Sequence, residues 1–343
     1  MKICTFENLN FDVKIMKFFR FAALFLLLSL GAQSCNNNPG NHWDVEIKNP
    51  VKNISFVDIS KDLYDTKIST VDFHEKYPWF QGTVEDDEFE LRRKDDEEIT
   101  IYNQAISKID KVKLKADLED LFSHIKYYFP NFQAPKVFLF SSVLQGVRQP
   151  LYHDKEENLL FIDVTAFMGE NNENYKGMPQ YFQKSMNPSN IVSKVSALYA
   201  EEFVSPVLTN QKFLDIIVYH GKLMTLQDAF IPKEPDFLKI NYTADQYDWA
   251  LANEVNIWDF FVEENILYSD DPRLVERFII PAPFSKFYTA VDNESSPQVG
   301  IFAGWQICSK YIASHPDVKL QDFLKMDAQT LFTESQYKPK ATE

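Results

Sequence analysis

Glu202 and His220 are the two residues of this 343-residue sequence whose type and placement could support acid–base chemistry. On a helix read from Asn190 to Val204, the side chains of Ile191, Val195, Leu198 and Tyr199 form one apolar face. At about 100° per residue Glu202 falls inside that face and Glu201 outside it, so Glu202 is expected to be buried. A buried carboxylate is a catalytic acid or, more commonly, the partner of a Lys or Arg near the helix end. His220 shares a face with Phe213, Ile216, Ile217 and Leu223 on the next helix. The plainer expectation there is a hydrogen-bonded core histidine, with a catalytic or ligand role as the alternative.

Other chemistries find little purchase. The histidines at 42, 74, 124, 153, 220 and 315 are scattered and no H-E-x-x-H occurs, so neither metal ligands nor a cofactor are assigned. Cys308 lies in the apolar stretch "GIFAGWQICSKYI", where a structural thiol is the default. There is no G-x-S-x-G, no P-loop and no dinucleotide fingerprint. Glu201-Glu202, Glu263-Glu264 and Asp270-Asp271 suggest a glycosidase pair, but neighbours on a helix point apart, so adjacency alone is no evidence for one.

The elements that must position these residues follow from pattern. "NISFVDIS" and "PKVFLFSS" read as strands, and "NLLFIDVTAF" as a longer apolar run. Leu114, Leu118, Leu121, Phe122 and Ile125 repeat at helical spacing, with Pro130 as the stop. Asn187-Pro188, Asp271-Pro272 and Ser296-Pro297 each set a cap residue before a proline suited to a first helical turn. Thr243 and Gln246 form a capping box, and Tyr247, Leu251, Val255, Trp258 and Val262 follow as one apolar stripe predicted to pack on the core. The expectation is an α+β, helix-dominated single domain with a small sheet in its N-terminal half.

The chain carries a formal charge of −15. The leader's four cations and two anions take +2 with them, which leaves −17 and makes nucleic acid an unfavourable partner. The acidic run "EDDEFELRRKDDEE" lacks the spacing of a calcium loop and reads as a solvated helix or loop. With 30 Phe, 16 Tyr and 5 Trp the core should be aromatic, and Tyr77, Trp79, Trp249 and Trp305 are expected in it more than on an interface.

At the N-terminus, Phe18 to Leu30 is interrupted by Arg20 and falls short of the roughly 20 residues a membrane span needs. Lys17 and Arg20 supply a positive region, and Ala32 and Ser34 the small residues before a cleavage point at Cys35. Residues 1–34 therefore read as a lipoprotein signal whose true start is Met16. Cys35 reads as the lipidated cysteine, residues 35–48 as an Asn-rich tether, and 49–343 as the folded domain. Cys4 leaves with the leader and Cys35 is modified, so Cys308 has no disulfide partner.

From Asn49 onward the chain resembles the gliding-motility-associated lipoprotein GldB family of Bacteroidota. The resemblance rests on "HEKYPWF", "KYYFPNF", the long tract from Tyr242 to Tyr288 that closes in "PAPFSKFY", "DNESSPQVGIFAGWQI" and "QYKPK". It implies a lipoprotein facing the periplasm, required for gliding and tied to the type IX machinery that exports motility adhesins. It implies no known reaction. More remotely, the order of strand, helix 190–204 and next helix is similar to zincin peptidases. Their H-E-x-x-H position is occupied here by Ala197 to Glu201, and His220 stands before Gly221-Lys222 where a third ligand would be.

The leading expectation is therefore a non-catalytic, lipid-anchored accessory or scaffold protein whose partners are the membrane and the gliding or secretion machinery. The alternative is a divergent peptidase or cell-wall hydrolase acting through Glu202 and His220.

Overall fold

The three apolar runs become parallel strands, and a fourth strand joins them at the edge. In the computed structural model, which describes residues 42–206, 211–290 and 292–340, these are β1 (Phe56–Asp58), β2 (Lys136–Phe140), β3 (Leu151–Asp154) and β4 (Leu159–Asp163). The leader, Met16 and Cys35 lie outside the described residues. The order is β1-β2-β4-β3, with β3 antiparallel to β4 and the other pairs parallel. The strand β3 escaped the sequence pattern because "LYHD" is too short to alternate; the turn at Asn158, whose φ is +54°, folds it back onto β4.

Helices α1 (Ile59–Leu63), α2 (Thr70–Lys76), α3 (Asp86–Arg92), α4 (Asp96–Ile106) and α5 (Lys111–Tyr128) fill the crossover from β1 to β2. After the sheet come α6 (Gln180–Gln183), α7 (Ile191–Phe203), α8 (Phe213–Phe230), α9 (Asp236–Lys239) and α10 (Ala244–Ala252). The chain closes with α11 (Glu254–Glu263), α12 (Arg273–Phe278), α13 (Val299–Ser314), α14 (Leu320–Lys325) and α15 (Ala328–Ser335). The fold is α+β and helix-dominated, with its small mixed sheet in the first half of the chain.

Strand alternation gives the sheet two faces. Val137, Leu139, Leu160 and Ile162 join Leu118, Leu121, Phe122 and Ile125 of α5 in the main core. Phe138 and Leu159 face a smaller core made by Ile59, Phe73, Tyr77 and Phe89. Trp79 closes that side edge-on to Phe138 and Phe161, at 5.1 Å from each, yet stays 39% exposed, so it is no core residue. Arg93, from the acidic run expected to be solvated, is buried; its guanidinium donates to the carbonyls of Leu63, Asp65 and Ile68 and ties the loop after α1 together.

Among the helices, α8 and α13 approach closest. A Cβ on Gly221 would lie 2.5 Å from the carbonyl carbon of Gly304 and 2.7 Å from Cys308 Sγ, and one on Gly304 would lie 2.5 Å from the carbonyl carbon of Ile217. Each glycine therefore admits the opposing backbone. The single stripe from Tyr247 to Val262 is in fact two helices, because the backbone breaks at Asn253 (φ −109°, ψ 13°). The break rotates the faces, so Leu251 and Val262 are exposed while Trp258 and Phe261 turn inward. The Thr243–Gln246 capping box forms in full. Ser296 does not cap α13, which starts after left-handed Gln298; its hydroxyl bonds the Gln246 carbonyl instead.

Candidate functional site

Glu202 sits on the last turn of α7, where the helix runs past the core towards β3. The apolar face that buries Tyr199 and Ala200 gives out there, so Glu202 is not buried as its position on the helical wheel suggested: its side chain is 21% exposed. Its carboxylate accepts a hydrogen bond from His153 Nδ1 at 2.8 Å and faces Lys155 Nζ at 3.6 Å.

The other ring nitrogen of His153 lies 3.2 Å from Asn158 Oδ1, an oxygen oriented by the Asn158 amide's own bonds to the carbonyls of Gln133 and Ala134. With acceptors on both sides, the doubly protonated imidazole is the form that satisfies both, which favours the cation. Burial opposes that charge, but the bonds to Glu202 and Asn158 outweigh it and raise the His153 pKa. Burial likewise opposes the Glu202 charge, and the His153 bond outweighs it and lowers the Glu202 pKa. The two shifts agree in favouring the charged pair, and Tyr199 packs on the imidazole at 4.9 Å. Glu201 points elsewhere, and its charge acts on Tyr219 of the next helix.

His220 lies partly buried on α8 beside Tyr219, ring centroids 5.2 Å apart. Burial pushes its pKa down to about 4, so the ring is neutral. Among the described residues its nitrogens have no hydrogen-bond partner, unlike the bonded core histidine expected, and no bond or ion pair joins it to Glu202. The two residues that follow it are structural. Gly221 lets α13 in, and Lys222 donates to the carbonyls of Leu324 and Met326 at 2.9 and 2.6 Å, satisfying the end of α14. Cys308 is fully buried and burial pushes its thiol up to about 12, which leaves it inert.

Between the ends of α7, α8 and α14 runs an open groove of about 760 Å³, with Phe203, Tyr219, Lys222, Met326 and Asp327 along its walls. Among the described residues no three His, Cys, Asp or Glu side chains are grouped to hold a metal ion.

Two buried polar centres were not read from the sequence. Asp163, at the end of β4, accepts bonds from the Ser142 and Thr165 hydroxyls and backbone amides, and thereby holds the loop after β2. Asp228 of α8 joins Lys239 of α9 at 2.9 Å and the Trp305 indole of α13 at 2.7 Å, and burial raises its pKa to about 6. The available signal was a lone Asp within an apolar run, as in "FIDVT".

Residues 40–339 match the family model described as gliding motility protein GldB. The chain belongs to the GldB family. No curated protein and no solved structure matches it. The GldB match spans the whole sheet and all the helices above, including His153, Glu202 and His220, and begins after Cys35. Several tracts that carried the resemblance turn out to be packing. In "HEKYPWF" the Tyr77 hydroxyl bonds Asp62 and Trp79 covers the sheet; in "PAPFSKFY" the buried Ser285 hydroxyl receives the first amide of α13. Among the described residues no helix is long and apolar enough to cross a membrane.

Proposed function

We propose that this GldB-family chain is a lipid-anchored accessory or scaffold protein of the gliding apparatus, held to a membrane through Cys35, facing the periplasm, and acting in type IX secretion of adhesins without catalysis of its own. The observation that carries the reading is the family match over residues 40–339. The absence of catalysis is supported by the two candidates themselves: Glu202 is engaged by His153 and Lys155, and neutral His220 makes no bond with it. Tyr219 and Phe203 along the open groove offer an aromatic wall for a protein partner.

The test is conditional depletion in the native host, with adhesins quantified in the medium and cells tracked on glass. Joint loss of secretion and movement is expected, and a Cys35→Ala copy should neither take up labelled fatty acid nor restore motility. If both persist while wall-peptide or proteolytic profiles change, the hydrolase reading through Glu202 and His220 replaces this one.

A further inference from the structure

In a strongly acidic chain, one cavity is lined by cations and by no carboxylate. It measures about 160 Å³ and lies between the loop after β2, the segment after β4 and the first turns of α7. In parallel sheets this side, beyond the carboxyl ends of the strands, is where ligands settle. Lys194 of α7 forms part of its wall, mostly withdrawn from solvent, and Arg148 stands exposed beside it with its guanidinium 5.8 Å from the Phe182 ring. Neither makes a hydrogen bond or ion pair among the described residues. Lys184 adds a third positive charge close enough to feel Lys194, and its ammonium is held by Gln246. Burial lowers the pKa of both lysines to about 8, a cost no protein counter-charge relieves.

The loop that carries Arg148 is strained. Val143 and Leu144 are consecutive left-handed residues, with φ of +52° and +69°, and β-branched Val rarely adopts that conformation. Asp163, Ser142 and Thr165 hold the strain through bonds to the amides of Ser142, Leu144 and Gly146. Strain maintained this way is characteristic of ligand-binding loops. The rest of the lining is mainly apolar, with Phe167, Met178 and Met186 on it.

We propose that this cavity binds a small organic anion, its charged group between Lys194 and Arg148 and its apolar body against Phe167, Met178 and Met186. Such a ligand supplies the missing counter-charge and fills the apolar part. The site is separate from Glu202 and His220 and does not depend on the motility role.

Titration calorimetry on the full chain, solubilised in detergent, tests it with benzoate. Saturable binding is expected. Benzamide, of the same shape but neutral, should bind roughly tenfold more weakly or worse, the loss expected when one charge-assisted bond is removed. Inorganic phosphate, which has no apolar body, should also bind more weakly than benzoate. Lys194→Met and Arg148→Met should each weaken benzoate by a similar factor, and Lys194→Met should raise the melting temperature of the ligand-free protein by removing an unpaired charge. Non-saturable benzoate, equal affinity for benzamide, phosphate binding as tightly as benzoate, or unchanged affinity in Lys194→Met would each overturn the proposal. So would a lower ligand-free melting temperature in that variant.

Discussion

Replacing Gly304 by Ala tests the closest contact in the fold. In the middle of an unconstrained helix, Gly→Ala stabilises by about 0.8–1 kcal/mol. Here the added Cβ would sit 2.5 Å from the carbonyl carbon of Ile217 and closer still to its oxygen. Non-bonded carbon contacts settle at about 3.5–4 Å, so α8 and α13 must separate by roughly 1 Å, and a gap of that size forfeits about a quarter to a half of each affected dispersion contact. Ile217, Val218, Phe302, Trp305 and Cys308 are all buried around this crossing. Over-packing of this kind costs about 1–3 kcal/mol and more when nothing can yield. Both clashing groups are backbone, so the net expectation is a loss of about 3 kcal/mol, or roughly 5–10 °C in melting temperature for a domain of this size. Gly221→Ala should behave similarly. Gly300→Ala should cost less, because its Cβ first meets the flexible Ile279 Cδ1 at 2.8 Å. Urea unfolding of the three variants measures the series. A Gly304→Ala protein as stable as the parent, or more stable, would refute the close-approach argument.

The two histidines should respond to pH in opposite ways. The folded pKa of His153 lies above the ordinary 6.5, so the pair's contribution is full below about pH 6.5 and fades as pH rises through the folded value. Glu202, lowered from 4.5, loses its share as pH falls below that value, so the stability gap between the parent and His153→Gln should be widest between about pH 4.5 and 6.5. His220, pushed down to about 4, instead makes the fold lose stability as pH falls from 6.5 to about 4, by up to roughly 3 kcal/mol, and His220→Gln should flatten that slope. Thermal melts across pH 4–8 separate the two, and identical profiles for both variants would contradict the assignment. Lys222→Met should destabilise by about 1–3 kcal/mol in urea, since the Leu324 and Met326 carbonyls lose their donor. Cys308 should be alkylated only on unfolding; peptide mapping that finds it modified in native protein would show that the helix crossing opens.

What could be read from the chain was local. The periodicity of α5, the Thr243–Gln246 box and the apolar run of β4 each depend on a few neighbouring residues, and each formed. What could not be read depends on distant partners. Nothing around His153 shows that β3 will bring it to Glu202, 49 residues away, and nothing in a charge run shows that Arg93 will be drawn in by the last carbonyl of α1 and two from the loop after it. The break at Asn253 was hidden because the stripe is nearly as regular in a broken helix as in a whole one. In the sequence Lys194 is one polar residue on an amphipathic helix, and the lack of a carboxylate opposite it is a property of the fold.

Lys222 gives the fold a direction in time. Its ammonium is placed by α8, but the carbonyls that satisfy it come 102 and 104 residues later. A chain that has emerged only as far as α13 must leave that charge in water or bury it unpaired. An unpaired buried charge costs several kcal/mol, much of the 5–15 kcal/mol that stabilises a typical domain. Docking of α14 therefore closes a contact across more than a hundred residues of chain, and its last carbonyls find their donor only where α8 already stands.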